Sequence, residues 1–166
     1  MRKKLLSLLV LSVLVLGLAG ISKAGFEPSP FRWLTIRLHV IGYALENIDS
    51  RLKAVLGVPP NDQRPGLLAL ELNIMAFRLT DLNSRIKAVL GMPPDDIMPP
   101  DYFLDAVMQV GDAAASIAAH AEEGFETPPD DERVLDALER VELAAQDIVT
   151  TVDEYLVTVP SPAPGY

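Results

Sequence analysis

Four stretches of the chain place an apolar residue at alternating intervals of four and three. Leu34, Leu38, Ile41, Leu45, Ile48, Leu52 and Val55 form the first set, and Leu68, Leu72, Met75, Leu79, Leu82, Ile86 and Val89 the second. Phe103, Val107, Val110, Ala114, Ile117 and Ala121 form the third, and Val134, Leu138, Val141, Ala145, Ile148, Val152 and Tyr155 the fourth. This spacing averages about 3.5 residues, close to one helical turn, so each set lines one face of a helix as the a and d positions of heptads. It predicts helices over about 30–56, 67–90, 101–123 and 130–158. Four such segments imply an all-α fold, an up-down-up-down antiparallel four-helix bundle with left-handed heptad packing. A period of two competes between residues 33 and 41, where Leu34, Ile36, Leu38 and Val40 alternate with other groups. The equivalent stretch 67–79, rich in Leu, Ala, Glu and Met, favours helix and decides the matter.

The first two segments are copies of one another. Residues 50–60 read SRLKAVLGVPP and residues 84–94 read SRIKAVLGMPP, nine identities in eleven at an offset of 34. Self-similarity of this kind marks a duplicated supersecondary unit. Tetratricopeptide units have the same period but fit two helices into it, whereas one helix and a loop fill it here.

Glycine and proline set the limits of the helices. Gly57, Gly91 and Gly124 stand where a left-handed residue would close a helix, each followed by an apolar residue that folds back on the last turn. Pro59-Pro60, Pro93-Pro94 and Pro128-Pro129 then stop it. Ser29-Pro30, Asp101, and Thr127 with Asp130, Asp131 and Glu132 supply the proline and acids of first turns. Arg51, Lys53, Arg85 and Lys87 suit the negative ends of the first two helices. Helices of this length span roughly 33–40 Å, which a linker of about ten residues scarcely covers even when extended. Consecutive helices are therefore expected to run antiparallel. The Ala-rich third helix is expected to approach its neighbours closely.

The ends of the chain read differently. Arg2, Lys3 and Lys4 precede an apolar run over 5–21, and Ser22-Lys23-Ala24 follows with small residues at both positions a signal peptidase reads. This is the three-part pattern of a secretory signal peptide over 1–24, cut between Ala24 and Gly25. It places the protein in the periplasm or outside the cell. Retained uncut, the same run reaches the short end of a membrane-spanning helix and would anchor the chain. Ile21 occupies the place of the cysteine that a lipoprotein signal requires. Residues 160–166, PSPAPGY, are expected to form an extended, mobile tail.

Charge narrows the functional classes. The whole chain has 14 Lys+Arg against 23 Asp+Glu, a net −9, and no cysteine. Such a balance disfavours nucleic acid, whose binding needs basic groups to displace counterions, and the absence of cysteine excludes disulfides and thiolate metal sites. Residues 25–92 carry 8 basic and 6 acidic groups, while residues 93–166 carry 2 and 17. An acidic half keeps an exported protein soluble and repels anionic membrane surfaces; a docking face for a basic partner or for cations is the alternative.

A search for chemistry at the inward positions finds only apolar groups. No carboxylate or histidine falls at a predicted a or d position. His39 lies at a b position and His120 at a g position, so neither is an inward haem ligand opposite Met75. The chain has no Glu-x-x-His, no Gly-x-Ser-x-Gly elbow and no glycine-rich phosphate loop. Asp95, Asp96 and Asp101 are loop acids without EF-hand spacing. The sequence is read as non-enzymatic, with no cofactor.

One feature exceeds what a core needs. The outward f positions hold Ile36 and Tyr43 in the first helix and Leu70 and Phe77 in the second, flanked at c by Trp33 and Val40, and by Leu67 and Ile74. Either the third and fourth helices wrap round to cover these residues or the heptad phase is different there, or they form an interaction stripe. In the last case Trp33, Ile36, Tyr43, Leu70, Ile74 and Phe77 meet a protein partner or a second copy. A membrane comes into question only if the signal is retained. The alternative function is a periplasmic carrier of a small ligand or metal ion, marked by a cavity under the Ala-rich face of helix 3 or by the acidic loops.

Overall fold

Proline begins the first two helices, where its fixed φ suits a first turn and its missing N–H costs nothing. α1 spans Pro30–Leu56 and α2 spans Pro65–Leu90. α3, Asp101–Glu126, starts after Pro99-Pro100 with an acid in its first turn. α4, Glu132–Thr158, is capped by Asp131, whose side chain accepts from the Arg133 backbone N–H at 3.0 Å. The computed structural model describes residues 29–58, 64–93, 97–126 and 131–159, and among these the chain is all-helical with four helices. The expected signal peptide over 1–24, the tail over 160–166 and the loop residues Pro59, Pro60, Pro94, Thr127, Pro128, Pro129 and Asp130 lie outside the described residues.

Two expectations about helix ends are corrected. Gly57 and Gly91 are right-handed, with φ of −74° and −85°. Their N–H groups continue the helix to the Lys53 and Lys87 carbonyls, and Val58 and Met92 then bond three residues back. The ends thus tighten into a 3₁₀-like turn instead of reversing through a left-handed residue. Gly124 does not end its helix at all, since α3 continues to Glu126. A Cβ at Gly124 would lie 2.8 Å from Leu138 Cδ2 and 3.3 Å from Leu56 Cδ2. That glycine serves close packing.

The residues spaced by four and three are buried in all four helices; only Val55 and Tyr155 are half-exposed. Phe31, one step before the first set, extends the core. It meets Phe103 edge-on at 5.2 Å, and Phe103 in turn meets Tyr155 at 6.2 Å.

Neighbours follow from these contacts. α1 and α3 start together, at Phe31 and Phe103, and meet again at Asp49 and His120, so they lie parallel. α2 and α4 are likewise parallel, joined at Asn73–Arg140 and again at Asn83–Thr151. α3 and α4 run oppositely, with Phe103 against Tyr155 at one end and Gly124 against Leu138 at the other. Arg37, near the start of α1, reaches Met92 just beyond the end of α2. α2 and α3 lie across the core from each other, as do α1 and α4.

Two of the four neighbouring pairs are therefore parallel, which an antiparallel bundle with consecutive helices side by side does not contain. Helices packed about 8–10 Å apart leave a diagonal that the linker between Leu90 and Asp101 can cross. Gly42, Ala106 and Ala113 lie between α1 and α3 with the Asp49–His120 pair, and Ala69 and Ala137 lie between α2 and α4 with the Asn83–Thr151 pair. Each parallel pair of helices is thus tied by one polar contact.

The two halves are also related. An offset of 34 takes α1 onto α2, and an offset of 31 takes Phe103 to Val134 and Ala121 to Val152, carrying the α3 set onto the α4 set. The same offsets carry Asp49–His120 onto Asn83–Thr151. An approximate two-fold axis therefore passes between α1 and α2 on one face and between α3 and α4 on the opposite one.

Candidate interaction surface

At the outward positions of α1 and α2, apolar side chains stand in solvent. Trp33, Ile36, Val40 and Tyr43 of α1, and Leu67, Leu70, Ile74 and Phe77 of α2, are 43–76% exposed, with Tyr43 and Phe77 the most exposed of the eight. Neither α3 nor α4 covers them. At the same heptad positions α3 carries Asp105 and Asp112, and α4 carries Asp136 and the exposed Leu143. The apolar surface is thus concentrated on the duplicated pair of helices.

Because α1 and α2 run oppositely, Trp33 and Ile36 lie toward one end of the bundle and Leu67 and Leu70 toward the other, while Tyr43 and Phe77 each stand at the middle of their helix. The repeat offset of 34 takes Ile36 to Leu70 and Tyr43 to Phe77. Trp33 is held by Arg37, whose guanidinium lies 5.5 Å from the ring centroid. That arginine also reaches the Met92 sulfur at 3.8 Å.

A second feature, which the apolar spacing did not reveal, lies between α1 and α3. An open groove of about 690 Å³ has Gly42 and Val110 in its lining and Tyr43, Glu46 and Asp112 among its flanking groups. At one end Asp49 Oδ1 is 2.8 Å from His120 Nδ1, and Ser116 Oγ is 3.4 Å from both Asp49 Oδ2 and His120 Nδ1. Lys53 closes the cluster through an ion pair with Asp49 at 2.9 Å. Serine, histidine and aspartate meet here, yet not as a nucleophilic triad. A triad sets serine on one ring nitrogen and the carboxylate on the other, whereas both partners here address Nδ1. The arrangement orients an imidazole and joins two helices.

The equivalent cleft between α2 and α4 is smaller, about 330 Å³. Arg140 occupies the place of Gln109 and donates to Asn73 Oδ1 at 3.0 Å, where α1 has His39. Deeper in, Thr151 Oγ1 lies 2.9 Å from Asn83 Oδ1 and 2.8 Å from the Asp147 carbonyl, with one proton to donate between them. Both residues are buried. The signal that could have found these pairs is polarity at e and g, next to the apolar set.

The remaining candidates stand apart. His39 is exposed on the rim of the α1–α3 groove, Asp101 is exposed in the first turn of α3, and Asp95 and Asp96 lie outside the described residues. Among the described residues no group of three His, Asp or Glu could hold a metal ion, and no helix is long and apolar enough to cross a membrane. Comparison with family models, with characterised proteins and with solved structures finds no match for this chain.

Proposed function

We propose that the chain is an exported, non-enzymatic four-helix bundle that acts by protein–protein association through the outward face of α1 and α2. In this reading the signal peptide over 1–24 delivers it to the periplasm or the exterior, the helices connect up-down-up-down, and heptad packing of left-handed sense holds them together. One observation carries the reading: eight large apolar side chains are exposed on two adjacent helices, whereas α3 and α4 each expose only two, Tyr102 and Met108, and Leu143 and Val157. At these exposures the three aromatic side chains alone leave roughly 400 Å² in solvent, taking about 150–250 Å² for each whole ring side chain, and the five aliphatic ones add to it. A typical monomer's largest apolar patch is about 300–600 Å², and one side of a standard interface is about 800 Å².

The test is the double variant Tyr43→Asp/Phe77→Asp. Both side chains are over 70% exposed, so helicity should be unchanged while association is lost. A variant that associates as the wild type does removes the proposal. The α1–α3 groove supports a second reading, a carrier of a small ligand, because it opens beside Ala106 and Ala113 of the Ala-rich helix. A retained small molecule displaced by Gly42→Leu is its test, and a groove that binds nothing in the native protein sets it aside.

A further inference from the structure

We propose that Met92 is an oxidation site, and that the sulfoxide a peroxide forms there draws the Arg37 guanidinium off the Trp33 ring. Met92 follows the end of α2 and is 51% exposed, and its sulfur accepts from Arg37 Nη1 of α1 at 3.8 Å. The same guanidinium lies 5.5 Å from the Trp33 ring centroid. One cation is thus shared between a thioether and an exposed indole, both of which hold it weakly. Met75 is buried, and Met98 and Met108 are about half exposed. Among the described residues neither of these two accepts a hydrogen bond on its sulfur.

The repeat sets this cluster apart. An offset of 34 takes Trp33 to Leu67, Arg37 to Glu71 and Val58 to Met92. The equivalent places toward the other end of the bundle therefore hold Leu67, Glu71 and Val58, with no indole, cation or sulfur. Within the matched segments 50–60 and 84–94 only Leu52/Ile86 and Val58/Met92 differ. The sulfur was introduced, or lost, at the one place that meets Arg37.

The step is a two-electron oxygen transfer. A sulfur lone pair attacks one oxygen of hydrogen peroxide, an S–O bond forms and the O–O bond breaks. The proton on the transferred oxygen passes to the departing hydroxide, so the sulfide is oxidised to sulfoxide and the peroxide is reduced to water; a methionine sulfoxide reductase reverses the change. A sulfoxide oxygen is a far stronger acceptor than a thioether sulfur, and a hydrogen bond from a charged donor outweighs an exposed cation–π contact. Arg37 accordingly turns to the new oxygen, which strengthens its tie to the end of α2 and bares Trp33. Trp33 belongs to the exposed apolar face, so oxidation alters that face whatever meets it.

Trp33 is the only tryptophan, so its emission reports this place alone. The experiment treats the full chain with hydrogen peroxide, locates the added oxygen by peptide mass spectrometry, and reads Trp33 emission and its quenching by acrylamide. The wild type should take oxygen at Met92, with a red shift of emission and a larger quenching constant, both undone by methionine sulfoxide reductase. Met92→Leu should keep the untreated spectrum in peroxide, whereas Met98→Leu/Met108→Leu should respond as the wild type does. Met92→Gln, whose amide oxygen stands in for the sulfoxide, should show the shifted spectrum without peroxide, and Arg37→Ala should show it with or without. A Met92→Leu chain that shifts as the wild type does overturns the inference. So does a Met92 sulfoxide that leaves Trp33 unchanged, or a Met92 that stays reduced while Met98 and Met108 are oxidised.

Discussion

Asp49 and Asn83 occupy one position in the two copies of the repeat, and each reaches across to the helix lying parallel beside it. Asp49 meets His120 at 2.8 Å, and Asn83 meets Thr151 at 2.9 Å. The chain thus fixes its two parallel pairs by the same device, with a half-exposed ionisable pair in one and a buried neutral pair in the other. A polar residue flanking an apolar seam commonly sets partner and register at some cost in stability.

Removing one partner should cost more than removing both. Thr151→Val leaves the buried Asn83 amide short of a partner and should lower stability by about 1–3 kcal/mol, whereas Asn83→Leu with Thr151→Val should recover much of the loss. At the other pair, Asp49→Ala and His120→Phe should each cost about 1 kcal/mol, and the double variant less than their sum. Urea unfolding followed by circular dichroism checks both cycles; strict additivity contradicts the account.

Two helical glycines should respond oppositely to alanine. At Gly42 a Cβ meets nothing closer than Val110 Cγ2 at 4.0 Å. Gly42→Ala should therefore stabilise by up to about 1 kcal/mol through helix propensity alone. At Gly111 the Cβ would come within 3.0 Å of Val152 Cγ1, and a β-branched side chain has little rotamer freedom to yield. Gly111→Ala should destabilise by about 1–3 kcal/mol, with partial rescue by Val152→Ala. Thermal melts of the three variants decide it.

Tyr155 should give the alkaline limb of stability a specific component. Burial raises its hydroxyl above the ordinary value of 10.0, because the charged phenolate is poorly solvated beside Phe103. The unfolded chain then loses this proton first, so the Tyr155 contribution falls as pH rises through the ordinary value. Below it, both states hold the proton and the group contributes nothing. Tyr155→Phe should accordingly unfold at the wild-type urea midpoint at pH 8 and at a higher one above pH 10. An equal decline in both proteins contradicts this.

Much of the helical content was legible because burial repeats at a spacing the sequence states directly: Leu38, Leu72, Val107 and Leu138 are all fully buried. The neighbour relations were less legible. Linker length limits direction but does not choose between side-by-side and diagonal placement, and small residues such as Ala69 and Ala137 between α2 and α4 pass as unremarkable in a hydrophobic count. Glycine was legible in number and misread in role. Gly124 looks like a helix terminator in sequence, and only its nearness to Leu138 and Leu56 shows that it makes room for packing. The outward apolar residues were visible one by one, but that Ile36 and Leu70 lie toward opposite ends of the bundle depends on the opposed directions of α1 and α2.

The central claim, an exported bundle that works by association, is tested most directly by native mass spectrometry of the gene product recovered from the host that exports it. The account predicts a chain beginning at Gly25, either at a multiple of that chain's mass or bound to another protein, with no small molecule retained. A monomer carrying a stoichiometric extra mass would contradict it and would move attention to the groove between α1 and α3.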